Sequence, residues 1–522
     1  MEKKLVADFR PENDPWVEPK RKPSVRFPYP CAIAATFDVK LICRLGTAIA
    51  SETASRYIDD KYMRCVKLPS FGVNCSEHGF GSLPVVASSC ARALTRGVQK
   101  SSRCVAFVEI DGEKCSKDWL KENGSHGVIV GDDIIKNINF ARYKGVIYAK
   151  NVLPYVIGRF NSLDRAVEEK VLCAIEAGAD CGGFFTEEAL EDADEKRIAL
   201  SAEKIEALLD KIDMDCEGGV FSICAQASYA VCKKVATESI VMLKNSGNVL
   251  PLNIFTTRIA VIGESAMSLE AIGAEGDCKA KTCIQSLLSA VGGQTEIMYC
   301  AYHDEDPVLE TEAIKMAMIA DVLIVFDSFG DDEMDGSYTS NNKLAAFFSQ
   351  KLSKIASKTV VVALGAPRDL SMYADADAIV VAWKGGGMAA DAISDVLSGV
   401  SPTGRLPYSV VADKNGAVYP AGYGLSYGKV KILSASIKEK SIFVYLVNEL
   451  YYTVRETVFL YKKTDDHYEL IAFKKENVDP LDRKITVFKL NEGFEEGQFF
   501  VSMLPFGCEE FSPIEVAVYE GI

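Results

Sequence analysis

The sequence predicts an α/β protein built in three successive parts, and three patterns carry that prediction. From Phe27 to about Leu209, short apolar runs alternate with amphipathic segments, which favours parallel strands connected by helices. From about Lys233 to Val411, apolar runs of strand length show no polar alternation, as in strands covered by helices on both faces. After Tyr427, short β-rich segments separated by charged turns predict a small β-sandwich.

The first part is predicted over residues 27–232, behind a mobile leader (residues 1–26) that is rich in proline and charge. Val128–Val130 and Val146–Ala149 are predicted strands. Val86–Gln99 and Leu163–Ala177 are predicted helices, because apolar residues return there at intervals of three and four. A complete eight-stranded (β/α) barrel takes about 250 residues. This part is therefore expected to be a shortened barrel of the same kind.

The second part (residues 233–412) is predicted to be an open, doubly wound sheet, and the third (residues 413–522) a β-sandwich. Helices are expected at Asn341–Ala356 and Met388–Leu397. The predicted strands of the second part are Ile259–Gly263, Val322–Phe326, Thr359–Leu364 and Ala378–Ala382. Those of the third are Ser441–Val447, Thr457–Tyr461, Lys484–Leu490, Phe499–Met503 and Ile514–Tyr519.

Composition excludes several classes of partner. A net charge of −15 over 522 residues argues against nucleic acid or an anionic membrane as the main partner. No apolar run reaches the roughly eighteen residues of a membrane span, and the N-terminus lacks the apolar core of a signal peptide. We therefore expect a cytoplasmic protein. The sixteen cysteines form no Cys-x-x-Cys pair and the four histidines are far apart, so neither a metal nor a cofactor is predicted.

One segment stands out for its chemistry. Gly124–Asp133 places a tight turn before a β-branched run that ends in two carboxylates, Asp132 and Asp133. A buried strand that delivers an acid at its C-terminal end is typical of (β/α) barrel enzymes. An aspartate that merely caps the turn after a strand would give the same pattern.

Other short segments, spread over the whole chain, share motifs and order with one known family. They are Phe27–Asp38, Leu45–Glu52, Phe80–Gln99, Ala177–Asp180, Ala236–Asn245, Leu250–Leu252, Ser401–Pro407 and Tyr423–Tyr427. Together with Gly124–Asp133 they resemble the family 3 glycoside hydrolases. Ala472–Phe488 is similar to the fibronectin type III-like domain that ends many members. The resemblance implies β-glucosidase-type hydrolysis of a small β-glycoside or an oligosaccharide.

The resemblance also implies two catalytic carboxyl groups. Retaining glycosidases hold a nucleophile and an acid/base about 5–5.5 Å apart, in environments that separate their pKa values. Asp132 matches the family's nucleophile, and Glu333, in the acidic loop after Val322–Phe326, is the best match to its acid/base. Where the family has a tryptophan after the nucleophile, this chain has Asp133. A solvated acidic loop is the alternative interpretation of the segment around Glu333.

Two further motifs suggest ligands that we do not expect. Asp331–Gly336 begins like a calcium-binding EF-hand loop, but its twelfth position is Asn342 and the loop follows a strand. Gly385–Gly387 precedes a helix, as phosphate-binding loops do, but lacks the dinucleotide spacing. It resembles the family's turn between a strand and a helix.

The first part departs most from the family. Val105–Ile110 stands where the family carries a Lys-His-Phe motif that helps to bind the sugar, and the stretch from Asp111 to Gly124 is several times shorter than its counterpart. Two functions therefore stay open: a divergent β-glucosidase, or a catalytically inactive relative that acts as a carbohydrate-binding or scaffold protein. An incomplete barrel also leaves strand edges that need covering, and a homodimer would provide it.

Overall fold

The fold is taken from a computed structural model. It describes residues 1–11, 13–16, 25–69, 78–110, 125–130, 145–149, 171–176, 179–183, 185–212, 221–253, 255–302, 306–330, 342–465, 467–490 and 497–518.

The N-terminal part contains a sheet of five parallel strands that follow one another in chain order. They are β1 (Cys65–Leu68), β2 (Val105–Ile110), β3 (Gly127–Val130), β4 (Val146–Ala149) and β5 (Cys181–Gly182). The helices of this part are Glu2–Asp8, Pro30–Ala35, Val39–Arg56, Pro84–Gln99, residues 171–176, Glu195–Leu209 and Phe221–Ser239. The predicted strands at Val128–Val130 and Val146–Ala149 are confirmed, as is the helix that ends at Gln99. Of the predicted helix Leu163–Ala177, residues 171–176 are described and helical.

The first sixteen residues differ from the mobile leader predicted by the sequence. The side chains of Val6, in the helix Glu2–Asp8, and of Phe9 and Trp16, which follow that helix, are all buried. Arg10 donates from Nη1 to the carbonyl oxygen of Gly182 in β5 at 2.6 Å. Asn13 pairs with β1 and accepts a hydrogen bond from the Lys67 amide at 2.8 Å. The segment therefore reaches both edge strands of the sheet, and at these points the chain covers its own edges.

The second part holds a six-stranded sheet in the order β6-β11-β10-β9-β7-β8. Its strands are β6 (Val241–Asn245), β7 (Arg258–Ile262), β8 (Glu296–Cys300), β9 (Val322–Phe329), β10 (Thr359–Gly365) and β11 (Ala378–Val381). All neighbours are parallel except β6, which runs antiparallel to β11. The helices are Cys283–Val291, Pro307–Ile319, Asn342–Phe347 and Ala389–Leu397. Asn342–Phe347 continues through a π-helical turn, Phe348–Leu352, to Ser353–Ile355.

The central strands form where the sequence predicts them. Every residue of β10 and all but one of β9 are buried, which explains why these segments are apolar on both faces. The prediction of an α/β fold with parallel strands is confirmed. Within the described ranges, no helix combines the length and the apolar character that a bilayer crossing requires.

The third part consists of two four-stranded sheets, β18-β15-β14-β21 and β17-β16-β19-β20. A short pair, β12 (Val410–Val411) and β13 (Val418–Tyr419), precedes them. The strands are β14 (Lys431–Lys438), β15 (Ser441–Val447), β16 (Val454–Thr464), β17 (His467–Val478), β18 (Arg483–Lys489), β19 (Phe499–Ser502), β20 (Ile514–Glu515) and β21 (Ala517–Val518). The two sheets enclose one apolar cluster, which includes Val444, Val458 and Phe488.

The third part also packs into the core of the first. Phe37, which is fully buried, meets Phe459 edge-on with ring centroids 5.9 Å apart and Phe473 with centroids 5.1 Å apart. Phe459, Tyr461 and Phe473 belong to the same apolar cluster as the helices of the N-terminal part. The C-terminal sheets therefore share a hydrophobic core with the first part of the chain.

Candidate active site at the carboxyl ends of the strands

The segment expected to carry the nucleophile leaves the middle of the N-terminal sheet. Strand β3 lies between β2 and β4, all three are parallel, and its four residues are buried. Asp132 and Asp133 come two and three residues after Val130, the end of β3, and lie outside the described residues. Their position in the chain is thus that of residues at the carboxyl end of a central parallel strand, the edge at which (β/α) barrels bind substrate.

A partly buried ion pair lies on the two strands that precede β3, and it was not predicted from the sequence. The Lys67 ammonium on β1 lies 3.2 Å from the Glu109 carboxylate on β2 and 3.6 Å from Asp14. Glu109 pairs in register with Ile129, three residues before Asp132. Burial alone would lower the pKa of Lys67, but the carboxylates of Glu109 and Asp14 outweigh it and raise that pKa above its ordinary value.

The sheet of the second part has its topological switch point at β7 and β9. The chain moves from β7 to β8 on one side and then to β9 on the other. In open α/β sheets, ligands bind outside the carboxyl ends of the strands at such a point. Glu333 follows the end of β9 by four residues and lies outside the described residues, as does the whole acidic segment 331–341.

The described backbone at this switch point is closely packed. A Cβ on Gly263, directly after β7, would lie 2.1 Å from the carbonyl oxygen of Phe326 in β9. Gly365, at the end of β10, has φ +80°, and a Cβ there would lie 2.0 Å from the Phe329 carbonyl oxygen. Only glycine fits at either position, so the loops that leave these strands start from fixed points.

One acidic side chain of β9, that of Asp327, takes part in a hydrogen bond within the protein. Asp327 is buried, and its Oδ2 accepts a hydrogen bond from the Tyr373 hydroxyl at 2.7 Å. Burial and the neighbouring carboxylate together raise the pKa of Tyr373 well above its ordinary value, so Tyr373 stays a proton donor to Asp327. This hydrogen bond connects β9 to the helical turn Ser371–Tyr373, so we assign Asp327 a structural role at the carboxyl end of the sheet.

Other residues of the family motifs have structural partners far from the strand ends that would carry catalysis. Asp180 is fully buried and receives hydrogen bonds from Arg197 at 3.0 Å, from Lys204 at 3.1 Å and from the Ile147 amide at 3.0 Å. Ile147 is the second residue of β4 and Asp180 directly precedes β5, which places this cluster at the amino ends of the strands. It anchors the helix Glu195–Leu209 to the sheet.

The closing motifs of the second part likewise form a junction. Arg405 pairs with Glu456 of β16 and donates to the Gly424 carbonyl oxygen. The Ser426 hydroxyl donates to the other oxygen of Glu456 at 3.0 Å. Glu238 and Asp38 both pair with Arg455, also on β16. These motif residues therefore join the three parts of the chain.

The described residues contain no group of three or more His, Cys, Asp or Glu side chains that could hold a metal ion. The segment that begins like an EF-hand lies outside the described residues. At Gly385–Gly387, the amides of Gly386 and Gly387 donate to the carbonyl oxygens of Ile272 and Arg26, both at 3.0 Å. These donors are used within the protein, which agrees with a structural turn.

Comparisons with known proteins agree with this arrangement. Residues 240–427 match the model of the glycosyl hydrolase family 3 C-terminal domain. Thermostable beta-glucosidase B of Acetivibrio thermocellus is 23% identical over 578 residues, which cover 90% of this chain and 75% of that protein. The exo-alpha-(1->6)-L-arabinopyranosidase of Bifidobacterium longum is 28% identical over 265 residues, or 40% of this chain and 34% of that protein.

Solved structures show the same fold over nearly the whole chain. A GH3 beta-glucosidase of Bifidobacterium adolescentis superposes with a TM-score of 0.76 at 18% identity, covering 97% of this chain and 90% of that one. The beta-glucosidase of Listeria innocua in complex with isofagomine gives 0.77 at 16% identity, covering 95% and 87%. The chain therefore shares the fold of these glycoside hydrolases. Residues 240–427 match the family 3 C-terminal domain, and the chain as a whole resembles the β-glucosidases of that family.

Proposed function

We propose that the protein is a retaining β-glycosidase that hydrolyses small β-glycosides or oligosaccharides through two carboxyl groups. The observation that carries the proposal is the similarity in fold to β-glucosidases. This similarity extends over nearly the whole chain, so it includes the N-terminal sheet as well as the second part. The position of Asp132 after β3 and of Glu333 after β9 agrees with it, because both follow parallel strands at their carboxyl ends.

In the proposed mechanism, Asp132 attacks the anomeric carbon while Glu333 protonates the leaving oxygen. Water then hydrolyses the glycosyl-enzyme with Glu333 acting as the base. Glu109 lies on β2, next to β3, and pairs with Lys67 on β1, one strand further away. This pair supports a polar sugar site even though Val105–Ile110 lacks the family's Lys and His.

The finer architecture is part of the proposal. The chain order of the parallel strands β1 to β5 supports a shortened (β/α) barrel, and the order reversal at β7 supports a doubly wound second sheet. Two sheets around one apolar cluster support a fibronectin type III-like third part. An experimental structure with β1 to β5 in a flat, open sheet would contradict the barrel.

A cytoplasmic location also belongs to the proposal. The cysteines that the structure describes are free thiols, and most are buried, as is usual in a reducing compartment. Disulfides found in protein alkylated directly on extraction from its native source would contradict this location.

The test of the chemistry is turnover of aryl β-glycosides by the wild type and by two matched pairs of variants. We expect Asp132→Asn and Glu333→Gln to lose at least about a hundredfold in kcat. Asp133→Asn and Asp335→Asn, which change a neighbouring carboxylate in the same segments, should keep activity within about tenfold. A stable glycosyl-enzyme trapped on Asp132 by a 2-fluoro glycoside would identify the nucleophile directly.

Two outcomes would overturn the proposal. Folded wild type that binds sugars but turns over no aryl β-glycoside would indicate an inactive relative. Equal activity of the Asp132→Asn variant and the wild type would show that Asp132 is not the nucleophile.

A further inference from the structure

Lys475 joins all three parts of the chain through a single amine. It lies on β17 of the third part. Its Nζ donates to the carbonyl oxygen of Thr36, which follows the helix Pro30–Ala35 of the first part, at 2.7 Å. The same Nζ donates to the carbonyl oxygen of Thr403 in the closing segment of the second part, also at 2.7 Å.

The surroundings of this amine carry several charges from every packed element. They are Asp38 of the first part, Glu238 of the helix Phe221–Ser239, Arg405 of the closing segment, and Arg455 and Glu456 of β16. The carboxylates and guanidinium groups pair with each other: Asp38 and Glu238 with Arg455, and Glu456 with Arg405. Lys475 lies among them and donates hydrogen bonds to two backbone carbonyl oxygens.

We infer that Lys475 is a positioning residue that fastens the N-terminal part to the second part. For its effect on catalysis, this inference rests on the proposed function. A two-carboxylate site needs one group from each of these parts at a fixed separation. Neither carbonyl belongs to a strand-end loop, so Lys475 acts on the site only through the docking of the two parts.

The protonation state of Lys475 sets how firmly the junction holds. Burial lowers the pKa of Lys475 to about 7, and the nearby Arg455 and Arg405 add to that effect against Glu238 and Asp38. The neutral amine has two N–H donors, which match the two carbonyl oxygens. The charged form costs more to hold in this environment. We therefore expect the junction to loosen progressively as the pH falls from about 10.5 to about 7, with little further change below pH 7.

The sign in a stability measurement follows from the lowered pKa. Between about pH 7 and the ordinary lysine pKa of 10.5, the unfolded chain binds more protons at Lys475 than the folded chain does. The stability of the wild type relative to a variant without this amine should therefore rise with pH over that range. One proton corresponds to at most about a tenfold change in the folding equilibrium constant per pH unit.

The experiment uses the full chain and four proteins: wild type, Lys475→Gln, Lys475→Met and Lys489→Met. Lys475→Gln keeps N–H donors but does not titrate. Lys475→Met has neither an N–H donor in its side chain nor a titratable group. Lys489→Met is the control, because Lys489 is an exposed lysine of β18. Hydrogen exchange is measured from pH 6 to pH 9, after correction for intrinsic exchange, together with urea unfolding, kcat and KM.

We expect the peptides covering residues 33–38 and 401–406 to lose protection in the wild type as the pH falls from 9 to 7, with little further loss between pH 7 and pH 6. Lys475→Met should lack that protection at every pH, and Lys475→Gln should keep part of it without the pH dependence. Strand β10 should exchange alike in all four proteins. In Lys475→Met, kcat should fall at least threefold while KM stays within twofold.

The outcomes separate this inference from the proposed function. Equal exchange of the two segments in wild type and Lys475→Met, or a wild-type stability advantage that is flat with pH, would overturn the role of Lys475. A normal exchange response in a protein without glycosidase activity would leave the junction established and would overturn only the proposed function and the catalytic role that depends on it.

Discussion

Arg405 and Glu456 form a buried ion pair between the closing segment of the second part and strand β16 of the third. The Nη2 to Oε2 distance is 2.5 Å, and the side chains are only 4% and 7% exposed. Glu456 also accepts a hydrogen bond from Ser426. Removing the cation would leave a carboxylate buried beside the two motifs that close the second part.

Arg405→Met should therefore destabilise the protein by about 3–5 kcal/mol, the usual cost of an uncompensated buried charge. Urea unfolding of the purified variant measures this change. Lys431→Met is the control, since it breaks a pair with Glu449 whose side chains are 64% and 59% exposed. That change should stay within about 1 kcal/mol. Equal effects of the two substitutions would contradict the structural role of the Arg405 pair.

Asp180→Asn should be destabilising by about 3–5 kcal/mol, because Arg197 and Lys204 would lose the carboxylate that compensates them. The same substitution at Asp194, the N-cap of the helix Glu195–Leu209, is the control. Asn and Asp are equivalent N-caps, so that variant should unfold close to the wild type. If Asp180→Asn behaves like Asp194→Asn, the carboxylate does not anchor the helix.

Phe9→Ala tests whether the N-terminal segment is packed. Phe9 is fully buried and its ring lies 5.8 Å from that of Phe107 in β2. Truncation should cost about 3–5 kcal/mol in unfolding free energy. A mobile leader would tolerate the change without loss. Ile58→Ala, at a half-exposed apolar position, should cost less than about 1 kcal/mol.

His126 makes the stability depend on pH in the acid range. Burial, with a smaller contribution from Lys211, lowers the pKa of His126 from 6.5 to about 4. The folded protein therefore favours the neutral ring, and this contribution to stability is lost as the pH falls from about 6.5 to about 4. His126→Gln should remove that part of the acid sensitivity, as measured by thermal unfolding across this range.

His467→Gln is the matched control, because His467 is exposed on β17. Its stability profile should follow that of the wild type. An unchanged acid limb in His126→Gln would show that His126 is not responsible for it.

The sequence predicts the second sheet well because its strands are apolar on both faces. Val322–Phe326 and Thr359–Leu364 are found within one to three residues of the observed β9 and β10. Strand β17 was not predicted. It carries Lys474, Lys475 and Glu476 in succession, and such a run indicates a solvated surface. The tertiary fold places Lys475 at a junction between three parts, which no local pattern can reveal.

The candidate site was predictable in part. The motifs lead to Asp132 and Glu333, which the described residues do not include, so both stay predictions. The Lys67 and Glu109 pair was not predicted, because the family's sugar-binding Lys and His correspond to Val105–Ile110, which has neither. The structure places the lysine on the adjacent strand β1 instead. A charged residue inside each of two buried strands was the available signal. The charge and proline content of residues 1–26 predicted a mobile leader, but the side chains of Val6 and Phe9 are buried.

The contact of Phe37 with Phe459 and Phe473 bears on how the chain can be divided. A fragment that ends after Tyr427 would expose Phe37 to water and leave Asp38 and Glu238 without Arg455. The C-terminal sheets would in turn present an uncovered aromatic surface. Neither fragment is therefore expected to be stable when it is produced alone. In the intact chain the C-terminal sheets should not unfold separately, so thermal unfolding should show one cooperative transition.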